Sequence, residues 1–239
     1  MDKQAKETKY TYLTTIACPL CENELLVKRF RQVRMRVLRR DPDHHVWYAN
    51  DLHPVRYFVT VCCWCGYAAG NNRFSDLPAA EKARLKGRTG GLQVTEAVNV
   101  ERDDPELVAQ CFGHAIRLGL IAKVPASVLG SLYLRTAWFC REEGDQAQEL
   151  DFLRLAYQSY ERAYQEEDLP IGPMTRLGLI YLLGELARQI REFEKSSRWF
   201  NMAVRLKEDL IAEPALAKLV HEQYQQMRDD YKKYQEENH

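Results

Sequence analysis

The chain has 239 residues, 46% of them hydrophobic and 28% charged, which excludes a disordered chain too polar to form a core and a bundle of membrane spans. No stretch approaches the roughly 20 consecutive apolar residues that cross a bilayer. Formal charge sums to zero, yet residues 1–100 hold 16 Lys/Arg against 10 Asp/Glu and residues 101–239 hold 18 against 24, so a basic half precedes an acidic one and two units with different surfaces are expected.

The opening MDKQAKETKYTYL carries charge with no apolar run behind it, unlike a secretory signal. We therefore expect a cytoplasmic protein in a reducing environment, where structural disulfides are disfavoured. Seven cysteines then need another role.

Cys18-Pro19-Leu20-Cys21 is the first candidate. Its counterpart lies 40 residues on, in Cys62-Cys63-Trp64-Cys65. A two-residue spacer lets two thiolates converge on one cation from a tight turn, and two such turns supply a tetrahedral set of four sulfurs. Thiolate softness favours Zn2+, with iron as its rival. Pro19 stiffens the first turn, and Gly66 permits positive φ just after the second. A redox pair would follow a strand and open a helix, but neither Glu22-Asn23-Glu24 nor Gly66-Tyr67-Ala68 starts a helical period. Cys63 is the spare, because a one-residue spacer to Cys65 is poor ligand geometry. Cys111 and Cys140 sit on apolar helix faces and read as buried bystanders.

The segment between the pairs reads as strands. Val33, Met35 and Val37 alternate with Arg34 and Arg36, and Tyr57, Val59 and Val61 alternate into the second cysteine turn. Such a module is a zinc ribbon, too small for a large core, so metal binding supplies much of its folding free energy. Lys28, Arg29, Arg31, Arg34, Arg36, Arg39 and Arg40 make the stretch 28–40 strongly basic. It can track phosphates, although only Phe30 is at hand for base stacking. His44 and His45 suggest a second metal site, but with four thiolates already assigned they read as a polar loop between strands.

From about Ser75 the texture turns helical. Leu77-Pro78-Ala79-Ala80-Glu81 resembles a helix start. Gly87 to Gly91 is a flexible interruption that lacks the phosphate-loop pattern. Asp103-Asp104-Pro105-Glu106 opens the next helix with an Asp cap and Pro at the first position. Breaks are expected near Pro125, at Gly144-Asp145, from Leu169 to Pro173, at Arg191-Glu192 and near Pro214. Gly184, Ala187, Phe193, Phe200 and Ala203 have the spacing of a tetratricopeptide repeat. Ala137, Gly144, Leu153 and Ala156 occupy the matching places of an earlier, stretched unit. The last helix carries Leu216, Val220, Tyr224, Met227, Tyr231 and Tyr234 at steps of three and four, a stripe that should pack on the preceding repeat.

Stacked in that register, the first helices of the two repeats would line a concave side. Trp138 and Arg141 from one, Tyr181 and Arg188 from the next, are the candidate partner-binding residues. The fold class expected is α+β, mainly α. A β zinc ribbon should span 1–75, a linker with a short helix 76–104, and tetratricopeptide-like helices with a capping helix 105–239.

The runs CPLC and HPVRYFVTVCCWCGYAA, with DPDHHVWY between them, resemble an uncharacterised bacterial family that joins a CPxC…VCPxCGYAA ribbon to tetratricopeptide-like helices. The resemblance implies Cys18, Cys21, Cys62 and Cys65 as the ribbon cysteines. Cys63 stands where the family has Pro, and His53 where it often has Asn. It implies an architecture and no activity.

The function expected is a non-catalytic Zn2+-binding adaptor with a groove for a protein or peptide partner. The alternative is a nucleic-acid-associated protein using the Arg-rich stretch 28–40. An enzyme is not expected: four cysteines leave no coordination position for water, and no nucleophile–base spacing, phosphate cradle or H-E-x-x-H motif occurs. No membrane contact is expected, and the chain should be a monomer or weak dimer.

Overall fold

The computed structural model describes residues 8–237. Six short strands come first: β1 (Thr11–Ala17), β2 (Glu24–Phe30), β3 (Val37–Arg40), β4 (Val46–Tyr48), β5 (Val59–Val61) and β6 (Ala68–Gly70). They pair in sequence as antiparallel two-stranded sheets, β1 with β2, β3 with β4 and β5 with β6. Helices follow: α1 (Ala79–Leu85), α2 (Pro105–Ala122), α3 (Ala126–Glu143), α4 (Gln146–Glu166), α5 (Arg176–Gln189), α6 (Phe193–Arg205), α7 (Lys207–Ala212) and α8 (Pro214–Glu237). The class is α+β and mainly α, as expected.

Contacts divide the chain into two units. Among the described residues, the first comprises 8–40, Val46–Val124 and Trp138–Asp145; the second comprises Asp41–His45, Pro125–Ala137 and 146–237. Helix α2, read from sequence as part of the helical half, packs on β5 and β6 within the first unit, and α1 packs on α2.

The first unit is held by a core and by side chains that stand in for strands. Val59, Val61, Phe74, Val108, Cys111, Phe112 and Ala115 are buried, with Phe112 between Phe58 and Phe139. Asn99, also buried, acts as a missing strand partner for β5. It accepts from the Val61 amide at 2.9 Å and donates to the Val61 carbonyl at 2.7 Å. Arg102 is buried beside it and donates to the Val59 carbonyl at 3.0 Å. The predicted cap of α2 forms: Asp104 accepts from the Glu106 amide at 2.9 Å, with Pro105 at the first position.

The strand expected over Val33, Met35 and Val37 does not form as one. Gln32–Arg34 is a 3-10 turn, Met35 alone turns inward, and β3 starts at Val37. The alternation had no buried face to serve, since all four β3 residues are exposed.

In the second unit α5 packs on α4 and α6, while α8 packs on α5, α6 and α7. Two glycines admit aromatic rings from the following helix. A Cβ on Gly184 would lie 3.1 Å from the Phe200 ring, and one on Gly130 would lie 3.0 Å from the Tyr160 ring. Ser196 Oγ donates to the Gly184 carbonyl at 2.7 Å and ties α6 to α5. The core gathers Leu177, Ile180, Tyr181, Phe193, Phe200 and Ala203 with Val220 and Met227 of α8. The predicted α8 stripe is therefore the packed face: Leu216, Tyr224 and Tyr231 border that core. The predicted breaks all fall between helices, and a further one, at Leu206, separates α6 from α7. Cys111 and Cys140 are buried, as expected.

Candidate metal centre

Each cysteine pair sits in the turn of a hairpin, the first between β1 and β2, the second between β5 and β6. The two turns share one backbone design. Cys18 N–H donates to the Asn23 carbonyl at 2.9 Å, and Glu22 N–H donates back to the Cys18 carbonyl at 2.8 Å. Cys62 N–H donates to Tyr67 at 2.7 Å, and Gly66 N–H donates back to Cys62 at 2.8 Å. Each turn thereby lifts its two sulfurs to the same side of the hairpin end.

The sulfurs of Cys18, Cys21, Cys62 and Cys65 all lie within 4.8 Å of one another. Cys18 Sγ is 3.7 Å from Cys65 Sγ, and Cys21 Sγ is 3.6 Å from Cys62 Sγ. Those separations exceed the roughly 2 Å of a disulfide by far. They match the edge of about 3.8 Å that a regular tetrahedron has when its sulfurs lie about 2.3 Å from the centre. Four sulfurs gathered this closely, two of the separations at tetrahedron-edge length, fit a metal ion, and Cys63 is not among them.

Backbone amides bear on the first sulfur of each turn. Contact with Cys65 pulls the Cys18 thiol down to about 5 against the opposition of burial, helped by the backbone amides of Cys21 and Leu20, and the same contact, with burial, pushes the Cys65 thiol up. Burial pushes Cys62 up to about 11, with the amides of Cys65 and Trp64 working the other way. Both turns therefore aim backbone N–H groups at their first sulfur, the arrangement that stabilises thiolate.

The second turn is braced from outside. Thr89 Oγ1 donates to the Cys65 carbonyl, and a Cβ on Gly66 would collide with the Thr89 carbonyl oxygen. The Gly87–Gly91 stretch, read from sequence as a flexible interruption, thus docks on the turn and buries Thr89. His114 Nε2 lies 2.7 Å from the Gly66 carbonyl, and its Nδ1 lies 3.3 Å from Arg117 Nη2. Arg117 can only donate, so Nδ1 accepts and Nε2 carries the proton. Burial lowers the His114 pKa, consistent with that neutral form. The first turn is tied to α1 by Lys82 Nζ, which donates to the Pro19 carbonyl at 2.7 Å. None of these braces has a local sequence signal.

The other expected sites fare differently. No metal-ligating cluster forms at His44 and His45 among the described residues. Their loop is not simply polar and wet: Asp43 and His45 are buried, and the Pro42 carbonyl accepts from Tyr181 Oη at 2.8 Å. Tyr181 is itself 0% exposed, with its ring 5.5 Å from that of His44. Arg188 is gripped by Glu185 through two hydrogen bonds of 2.9 and 2.7 Å and by Asp230 at 2.6 Å. Burial raises the Glu185 pKa, and Arg188 opposes that. Tyr181 and Arg188 are thus engaged inside the second unit. Trp138 and Arg141 are half-buried and belong to the first unit.

No curated protein and no solved structure matches the chain. A family model does, over residues 11–227, under the description "Uncharacterized protein conserved in bacteria (DUF2225)". The match takes in both cysteine turns and all the helices down to Met227 in α8, so the chain belongs to the DUF2225 family of bacterial proteins.

Proposed function

We propose that the protein is a non-catalytic adaptor: a ribbon fixed by structural Zn2+, followed by tetratricopeptide-like helical hairpins that receive an acidic peptide segment of a partner protein. The closed sulfur set carries the first part. Four thiolates fill a tetrahedral coordination sphere and leave no position for a substrate or water, so the metal's contribution is folding free energy. Soft sulfur donors favour zinc, and a reducing cytoplasm keeps them available.

A groove between α6 and α8 supports the second part. Its volume is about 750 Å³, and Phe193, Tyr224, Met227 and Tyr231 form an apolar floor. Arg198, Arg228 and Lys232 flank it against the single acid Glu194. Arg198 and Arg228 form no ion pair among the described residues, although they sit in the half of the chain that is acidic overall. Aromatic anchors beside uncommitted arginines suit an acidic segment with an apolar side chain.

Affinity capture from native lysate with the full zinc-loaded chain tests the reading. Arg198→Glu combined with Arg228→Glu should lose partners that Cys63→Ser retains. Identical capture by all three proteins would contradict the groove.

A further inference from the structure

The Arg-rich stretch is a different surface, and the groove does not explain it. From Leu25 to Arg40 there is no acidic residue. Arg34, Arg36 and Arg40 are exposed and make no ion pair or side-chain hydrogen bond among the described residues. Between them stand aliphatic side chains that no core covers: Val33 is 97% exposed and Leu38 62%. A strand wet on both faces has no reason from packing to carry Leu38 or Val37.

Three kinds of partner meet a basic surface. Nucleic acid would use aromatic planes for its bases, but the exposed side chains here are aliphatic. Two of the nearby aromatic rings already carry an arginine, Arg39 lying 4.4 Å over Trp47 and Arg31 5.0 Å over Tyr12, and Tyr48, opposite Val37, is half-buried. An acidic protein surface would satisfy the arginines and leave Val33 and Leu38 facing charge. An anionic bilayer offers both chemistries within one side chain's reach, phosphates at the headgroup level and the acyl boundary beneath.

We propose that the Gln32–Arg40 segment docks the protein on an anionic lipid surface, with Val33 and Leu38 entering the acyl boundary and Arg34, Arg36 and Arg40 pairing with headgroup phosphates. No helix among the described residues is long and apolar enough to cross a membrane, and surface docking needs none. The proposal extends the adaptor reading by naming where the ribbon sits, and it stands without the groove.

Co-sedimentation of the full zinc-loaded chain tests it, with vesicles of equimolar phosphatidylcholine and phosphatidylglycerol against phosphatidylcholine alone. The chain should bind the anionic vesicles and lose binding as salt rises. Arg34, Arg36 and Arg40 changed together to Gln should weaken binding on the order of a hundredfold. Val33→Ser, at a turn position with no packing to lose, should weaken it about tenfold. Unchanged zinc content and circular dichroism would show that both variants fold. Equal binding to phosphatidylcholine alone, or no effect of Val33→Ser, would overturn the proposal. So would tighter binding to single-stranded oligothymidylate than to vesicles, lost in the triple variant.

Discussion

Glu22 and Gly66 occupy the same place in the two cysteine turns. Both have positive φ, 67° and 75°, and the N–H of each donates to the carbonyl of its first cysteine at 2.8 Å. A side chain is tolerated in the first turn and excluded from the second. The difference is outside the turns: Gly66 lies under the Thr89 carbonyl, whereas Glu22 is exposed. Gly66→Ala should therefore cost more than the about 1–2 kcal/mol of the left-handed conformation alone, because Thr89 must also move. Glu22→Gly should be neutral or slightly stabilising. Thermal melts of the zinc-loaded variants check both, and a Gly66→Ala protein as stable as the parent would remove Thr89 from the account.

Asn99 gives a sharper case of one side chain completing a sheet. Asn99→Ala leaves the Val61 amide and carbonyl buried without these partners. Each unpaired group costs about 1–3 kcal/mol. Denaturant unfolding should show a loss in that range or above, while Asn72→Ala, at an exposed position, serves as comparison. A loss near zero would mean that water takes the place of the amide.

His53 makes stability depend on pH. Its Nδ1 lies 2.7 Å from Glu142 Oε2 and its Nε2 lies 2.9 Å from Asp51 Oδ1. Burial and the nearby Arg56 lower its pKa, but the two carboxylates outweigh them and the value is raised. A raised folded pKa gives stabilisation that is complete below the ordinary value of about 6.5 and lost as pH rises through the folded value. Melting temperature should fall over that window in the parent. His53→Asn should flatten the fall without removing other titrations. Equal pH profiles would contradict the bridge.

What the residues disclosed in advance depended on how local each signal is. The two cysteine turns and the Asp104–Pro105 cap are set by neighbours within five residues, and they were legible. The docking of Thr89 on Gly66, the Asn99 bridge to Val61 and the Arg102 bond to Val59 join positions far apart in the chain, and no spacing announces them. The Val33–Val37 alternation misled because a period of two forms a strand only where a partner and a buried face exist. Tyr181 was readable. Helix α5 is apolar on all sides, with Leu177, Leu179, Ile180, Leu182, Leu183 and Leu186 buried around it, and a helix of that kind is enclosed.

The central claim is that Cys18, Cys21, Cys62 and Cys65 hold one structural metal and that Cys63 does not. Elemental analysis of the purified parent, Cys62→Ser and Cys63→Ser tests it most directly. The parent and Cys63→Ser should each carry about one zinc per chain, the stoichiometry of a single four-thiolate site. Cys62→Ser should lose the metal and, with it, the ordered ribbon. Full zinc in Cys62→Ser, or its loss from Cys63→Ser alone, would contradict the account.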